Sequence, residues 1–185
     1  MCVAPILSRA GCTGASGPTK AIGVGATVIG TVGSPAKAEL ALTHGCSHVI
    51  DYNKENFARR VREITGGKGV PVVYDGVGKT TFDGSLDSLA PLGLMVSFGN
   101  ASGTPPPLDL IRLSLSGSLF ITRPTLMHYT ADPHDLAEGA AELFELVASG
   151  AIKVEIHQRF ALADAESAHR DLESRKTTGA TVLLP

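Results

Sequence analysis

A regular alternation of two kinds of segment limits the possible folds more than any other feature of the sequence. Short runs of apolar, often β-branched residues, which favour strands, alternate with longer segments whose apolar residues recur at helical spacing. The predicted strands are 26–31, 48–52, 70–74, 93–98, 118–122 and 180–184, and the predicted helices are 35–44, 54–65, 80–89, 108–115, 133–149 and 163–174. Asn53 is the predicted cap of the helix 54–65. Strands this uniformly apolar are typical of a parallel sheet covered by helices on both faces. The sequence therefore predicts an α/β fold with a doubly wound parallel sheet.

Composition narrows the class of protein further. The chain has 185 residues, of which 43% are hydrophobic and 18% charged, as in one compact domain. Its net charge of -2 argues against nucleic-acid binding, and no apolar run is long enough to span a membrane. The first residues lack the basic start of an export signal, so we expect none. Cys2, Cys12 and Cys46 are an odd number without metal-ligand spacing, so we expect no metal site and free thiols in the cytoplasm.

Glycine recurs where the predicted strands end. In a doubly wound sheet of the Rossmann-like, NAD(P)-binding type, ligands lie beyond the carboxyl ends of the strands, and glycine permits close backbone approach to them. The residues at these ends are Gly33, Asp51-Tyr52, Asp75 to Gly78, and Phe98 to Asn100. The alternative is that strand-to-helix turns use glycine in any case. The pattern thus favours a dinucleotide site along this edge without proving one.

The end of the strand 26–31 indicates which dinucleotide would bind. An acidic residue there would hold the free 2′-hydroxyl of NAD, whereas the 2′-phosphate of NADP needs a cation. Ser34 and Lys37 follow the strand, and the first acid is Glu39. Ser34 offers a hydroxyl at a helix N-terminus and Lys37 offers a positive charge. The sequence therefore favours NADPH, the alternative being that Lys37 only solvates a helix face.

The segment 1–25 is atypical for such a fold. Gly11 and Gly14 are the candidates for a glycine-rich pyrophosphate loop, but Gly17-Pro18 interrupts the helix that should come after it. We therefore expect irregular structure before about residue 20 and weakened cofactor binding. Residues 26–185 are predicted to form the dinucleotide-binding domain.

These segments together resemble the cofactor-binding domain of the quinone oxidoreductase (zeta-crystallin-like) branch of the zinc-free medium-chain dehydrogenase/reductase superfamily. The resemblance covers about Ala26 to Pro185 and is carried by the segments GATVIGTVGSPAKAELA, HVIDY, EITGGKGVPVVYDGVG, GLMVSFGNASG, SLFITRPTL, LFELVASGAIKV and LESRKTTGATVLLP. It implies an NADPH-dependent reductase that acts on a quinone-type substrate, commonly as a homodimer and without zinc.

The resemblance also implies roles for individual residues. Gly33, Ser34 and Lys37 would bind the adenosine 2′-phosphate, and Tyr52 would pack beside the adenine ribose-phosphate. Gly76 occupies a position where the family often has serine, Phe98 and Gly99 would line the nicotinamide side, and Arg175 would reach the cofactor phosphates. No residue of the chain can be argued from the sequence to be a catalytic acid or base.

The chain departs from the family in two ways. The family has the loop AAAGGVG followed by an uninterrupted helix. In this chain only Gly11 and Gly14 match glycines of that loop, and the helix is not matched. The family's N-terminal catalytic domain is not seen in this sequence, so we expect a truncated or frame-disturbed reading frame that is restored near Ala21. The alternatives are an NADPH-dependent quinone reductase, a catalytically inert NADPH-binding or sensing module, and a dimerisation module.

Two segments carry predictions about packing. The helix 133–149 should face inward through Leu136, Ala140, Leu143, Phe144 and Val147. The strand 118–122 should lie at a sheet edge, where unpaired backbone groups invite another strand, and the strand around Phe120 is the predicted homodimer contact. The alternative is that the chain's own helix 133–149 covers this edge.

Overall fold

The computed structural model describes residues 26–152, 154–174 and 177–185, together with the backbone of residues 5–9. Its strands are β1 (Pro5–Arg9), β2 (Thr27–Val32), β3 (His48–Asp51), β4 (Val70–Asp75), β5 (Leu89–Ser97), β6 (Phe120–Thr122), β7 (Ile156–Ala161) and β8 (Ala180–Leu184). Its helices are α1 (Pro35–Thr43), α2 (Phe57–Ile64), α3 (Phe82–Asp87), α4 (Leu110–Leu115), α5 (Leu126–Tyr129), α6 (Pro133–Ala148) and α7 (Ala165–Glu173), with a 3₁₀ turn at Leu162–Asp164.

Six strands form one parallel sheet in the order β3-β2-β1-β4-β5-β6. The chain winds outward from β1 to β3 and then crosses back to β4, so the direction of winding reverses between β1 and β4. Ligands of open α/β sheets bind at such a reversal, outside the carboxyl ends of the strands. The predicted doubly wound, Rossmann-like fold is confirmed.

Both faces of the sheet are covered. On β2, Ile29 belongs to a core cluster that contains side chains of α2 and α3, whereas Val28 and Val32 belong to a second cluster with Ala41 of α1. Successive side chains of a strand point to opposite faces, so α1 lies on one face and α2 and α3 on the other. All three side chains of β2 named here are fully buried.

The central strand, β1, lies in residues 1–25, the segment that the sequence analysis placed outside the predicted dinucleotide-binding domain. It pairs with β2 on one side and β4 on the other. The expectation of irregular structure before about residue 20 is therefore wrong for residues 5–9, which form a paired strand. The domain limits of 26–185 stay a prediction. The predicted interruption at Gly17-Pro18 lies outside the described residues.

The structure corrects the predicted start of the second helix. The sequence predicted a helix over 54–65 capped by Asn53, but α2 begins at Phe57 and its cap is Asn56, whose side chain accepts a hydrogen bond from the Arg59 N–H. Both residues are asparagine, a good N-cap, so composition alone did not distinguish them. The Asn53 side chain instead contacts the turn after β2.

The C-terminal part of the chain differs most from expectation. The strand β7 was not predicted, and it pairs in parallel with β8 in a separate two-stranded sheet. The prediction that α6 faces inward is wrong, because none of its residues is buried and Phe144 is 69% exposed. Helical spacing predicts an apolar face but not whether another element covers it. No helix in the described part combines the length and apolar character that a membrane crossing requires.

Candidate dinucleotide site

The first part of the site is the turn that joins β2 to α1. Ser34 is the N-cap of α1, and its hydroxyl oxygen accepts a hydrogen bond from the Lys37 N–H at 3.4 Å. The first turn of α1 contains no acidic residue. The positive end of the helix dipole makes such an end favourable for an anion, and the Ser34 hydroxyl can donate to one. Ser34 and the Lys37 N–H therefore lie together at a helix end with no carboxylate in its first turn.

Tyr52 closes over this turn from the end of β3. A Cβ atom at Gly33 would lie 2.5 Å from the Tyr52 Oη, so no other residue fits at position 33 without displacing the tyrosine ring. Asn53, the next residue, donates a hydrogen bond from its Nδ2 to the Gly33 carbonyl oxygen at 2.9 Å. The predicted residues Gly33 and Tyr52 are thus in contact, and Asn53 is a further residue of this turn that sequence reasoning assigned to another role.

The second part of the site is the turn after β4, which is organised by the buried carboxylate of Asp75. Asp75 is fully buried, and its Oδ1 accepts hydrogen bonds from the N–H groups of Val77 at 2.8 Å and Gly78 at 3.1 Å. Its Oδ2 accepts from the hydroxyls of Thr81 at 2.8 Å and Ser85 at 2.7 Å. These hydrogen bonds compensate for burial of the charge and hold the turn in one conformation.

The turn after β4 packs directly against the loop after β5. A Cβ at Gly76 would lie 2.8 Å from Cζ of the Phe98 ring, and one at Gly99 would overlap the backbone of Gly76. Hydrogen bonds from the Phe98 N–H to the Asp75 carbonyl, at 2.9 Å, and from the Ser102 N–H to the Val77 carbonyl, at 2.8 Å, join the two loops. We call the paired segments 75–80 and 98–103 the glycine shelf. The three predicted residues Gly76, Phe98 and Gly99 are brought together on it.

Arg123, which comes directly after β6, extends this edge. Its Nη1 donates hydrogen bonds to the carbonyl oxygens of Ser97, at 3.0 Å, and Gly99, at 3.2 Å, and to Asn100 Oδ1, at 3.2 Å. Beside it lies an open cavity of about 290 Å³ lined by Thr122, Arg123, Pro124, Thr125, His128 and Tyr129. The sequence analysis did not assign Arg123 to the site, although a cation directly after a parallel strand lies at this edge of the sheet.

Three predicted site residues cannot be placed. Gly11, Gly14 and Arg175 lie outside the described residues. The carboxyl end of β1 lies between the β2–β3 group and the glycine shelf, so the two described groups flank the position where a pyrophosphate loop is expected. Within the described ranges, no group of three or more His, Cys, Asp or Glu side chains is arranged to hold a metal ion.

Comparison with known proteins shows the family. Residues 44–183 match the model of the zinc-binding dehydrogenase family. The chain belongs to this family. A quinone oxidoreductase of Pseudomonas aeruginosa is 57% identical to it over 166 residues, which cover 90% of this chain and 50% of that protein. A 2-haloacrylate reductase of a Burkholderia species is 47% identical over 88% of this chain and 49% of that protein.

A solved structure of this dehydrogenase family agrees with the fold. The Escherichia coli quinone oxidoreductase complexed with NADPH matches with a TM-score of 0.94 and 46% identity, over 98% of this chain and 57% of that chain. The resemblance to quinone oxidoreductases that the sequence predicted is thereby confirmed. This member of the family spans about half the length of the relatives it matches.

Proposed function

We propose that this chain is the cofactor-binding part of an NADPH-dependent quinone oxidoreductase. The observation that carries the proposal is the end of β2, where Tyr52 lies against Gly33, Ser34 caps α1, Lys37 lies in the first turn of that helix, and no acid occupies that turn. The similar Escherichia coli protein is a quinone oxidoreductase in complex with NADPH, which supports the same cofactor here.

The donors at this turn fit a phosphate better than a hydroxyl. The dipole of α1 and the Lys37 ammonium both favour an anion, and the Ser34 hydroxyl can donate to one. A 2′-phosphate would be repelled by an acid at this position, whereas the free 2′-hydroxyl of NADH would gain from one. The donor set therefore fits the 2′-phosphate, and Ser34 and Lys37 would hold it.

The glycine shelf fits the opposite end of the cofactor. Phe98 is 44% exposed, and its ring lies over Gly76. The carboxyl ends of β4 and β5 therefore offer a ligand an aromatic ring beside a glycine backbone. NADPH bound along this edge would supply a hydride to a quinone or a related enone. The hydrogen bonds of Asp75 and Ser102 would keep the shelf rigid and so orient the nicotinamide side. Arg123 lies beside the open cavity, and its positive charge would attract the oxygen atom of a substrate that enters there.

The proposal is tested through Lys37. Lys37→Ala removes a positive charge from the 2′-phosphate, so the affinity for NADPH should fall by about 1–2 kcal/mol while the affinity for NADH barely changes. Lys68→Ala is the matched control, since Lys68 is exposed and precedes β4 at the opposite edge of the sheet. Titration of each variant with both cofactors gives the affinities. An equal loss for the two cofactors would refute the role in binding the 2′-phosphate.

The second candidate function is a catalytically inert NADPH-binding or dimerisation module. It is favoured because the residues of the candidate site are suited to bind a cofactor, while none of them is assigned as a catalytic acid or base. An assay of NADPH oxidation with a simple benzoquinone separates the two. Tight NADPH binding without turnover supports the inert module, and turnover supports the reductase.

We also propose a homodimer through the strand around Phe120. β6 is the last strand of the sheet order, and Phe120 is 60% exposed, so the described residues do not cover it and α6 does not shield it. A second copy adding its own β6 would extend the sheet across a two-fold axis. Phe120→Lys should convert the dimer to a monomer in sedimentation velocity, and a monomeric parent protein at high concentration would remove the proposal.

Zinc independence and a cytoplasmic location remain predictions. A reducing compartment suits the unpaired Cys46, whose burial raises the pKa of its thiol to about 11. A thiol with so high a pKa stays protonated and unreactive near neutral pH.

A further inference from the structure

Asn53 connects two strand ends of the site. It lies just after β3, yet its side-chain amide reaches back to the neighbouring strand end and donates to the carbonyl oxygen of Gly33 at 2.9 Å. Its own N–H donates to Asp51 Oδ1 at 3.1 Å, and the N–H of Tyr52 donates to the Val32 carbonyl at 3.1 Å. The turn after β3 is therefore fastened to the turn after β2 through backbone and side chain.

The position of the Gly33 carbonyl determines the orientation of the next residue, Ser34. Ser34 is the N-cap of α1, so the orientation of the Gly33–Ser34 peptide sets where the Ser34 hydroxyl points. Gly33 has no side chain to restrict its backbone, and Tyr52 lies within contact of it. An external hydrogen bond to its carbonyl is thus the restraint that the residue itself lacks.

An amide at position 53 fits this role, whereas a carboxylate would not. The Nδ2 group can donate to the Gly33 carbonyl, but an ionised aspartate has no donor and would bring a negative charge to the same turn. The carboxylate present nearby, Asp51, accepts from the Asn53 N–H and lies 3.5 Å from the Lys54 ammonium. Its charge is therefore offset within the turn after β3.

We propose that Asn53 is a positioning residue that sets the selectivity of this turn for NADPH over NADH. It acts through Gly33 and Ser34 and need not touch the cofactor. The inference rests on the proposed NADPH-binding function, because it assigns a determinant of the 2′-phosphate site.

The test compares substitutions at two asparagines of one loop in the full 185-residue chain. Asn53→Ala should weaken NADPH binding about threefold to tenfold, the range for one hydrogen bond, and Asn53→Asp more, while NADH binding changes less than about twofold. Asn56→Ala and Asn56→Asp are the controls. Asn56 caps α2 three residues further on, so its variants change the stability or the charge of the same loop without touching Gly33.

Affinities for NADPH, NADH, 2′-AMP and 5′-AMP are measured by calorimetric titration, and melting temperatures are measured in parallel. A selective loss for NADPH and 2′-AMP at position 53, absent at position 56, supports the inference. Equal losses for all four ligands would show that Asn53 only stabilises the loop, and an unchanged NADPH-to-NADH ratio would also overturn the inference while leaving the proposed function intact. A parent protein without preference for NADPH would overturn both.

Discussion

The two sheets of this protein are stabilised differently. In the six-stranded sheet, β2 buries five of its six residues, and helices lie on both faces. In the two-stranded sheet, no residue of β7 or β8 is buried, although Ile156, Val182 and Leu183 would suit a core. A two-stranded sheet with open faces gains little from burial, so it contributes little stability of its own. Cover by helices on both faces distinguishes the six-stranded sheet from the two-stranded one.

The helices show the same contrast. α2 buries Ala58 and Val61 against the sheet, and its N-terminus is capped by Asn56. α6 is twice as long and is also capped, by Asp132, but buries nothing. Capping and length favour helix formation locally, whereas packing an apolar face supplies most of a helix's stability in a folded protein. We therefore expect substitutions in the six-stranded region to cost far more stability than similar ones beyond α5.

The largest effect is expected at Asp75. Asp75→Ala leaves the N–H groups of Val77 and Gly78 and two buried hydroxyls without their acceptor, which should lower the free energy of unfolding by about 3–4 kcal/mol. Asp135→Ala on the exposed α6 is the control and should change it by less than about 0.5 kcal/mol. Urea unfolding followed by circular dichroism gives both values. Similar losses at the two positions would contradict the contrast between the regions.

The next largest effect on the free energy of unfolding is expected from replacing an isoleucine in each of the two sheets. Ile50 of β3 is 1% exposed and belongs to the main core cluster, whereas Ile156 of β7 is 40% exposed. Ile50→Ala should cost about 3 kcal/mol through lost burial and a cavity, and Ile156→Ala less than about 1 kcal/mol. The same unfolding measurement applies. A large cost at Ile156 would mean that the two-stranded sheet is covered in solution, for example by a second polypeptide.

The fold was predictable where burial leaves a clear pattern in the sequence. The strands β2, β4 and β5 are mainly apolar because the centre of the sheet is covered on both faces, and a glycine follows each of them within two residues. β7 escaped prediction because His157, Gln158 and Arg159 interrupt its apolar pattern, and exposed faces do not require apolar residues. The inward face assigned to α6 was wrong for a related reason, since periodicity describes one element and cover depends on another.

The candidate site was predictable where the backbone itself is crowded. Gly33, Gly76 and Gly99 could be singled out in the sequence as candidates for the site. A side chain at each position would collide with a neighbouring residue, so only glycine fits there without a shift. The Asp75 network was missed because its partners Thr81 and Ser85 lie six and ten residues away, and ordinary hydroxyl residues carry no signal of burial. Asn53 was assigned to a helix cap because its partner, Gly33, is twenty residues distant in the chain.

The smallest effects are expected at two helical glycines, and they differ in sign. Gly84 lies in α3, where an added Cβ would collide with the partly buried Phe57 ring, so Gly84→Ala should cost about 1–2 kcal/mol despite alanine's better helix propensity. Gly139 lies in α6, where a Cβ would meet nothing within 4 Å, so Gly139→Ala should stabilise the protein by about 0.5–1 kcal/mol. Alanine stabilises the helix because glycine loses more backbone entropy on folding. At the exposed position 139, no steric contact offsets that stabilisation. Melting temperatures should therefore fall for the first variant and rise for the second. If Gly139→Ala instead lowers the melting temperature, α6 packs closely against a partner in solution, and the contrast between the two regions holds only for the chain by itself.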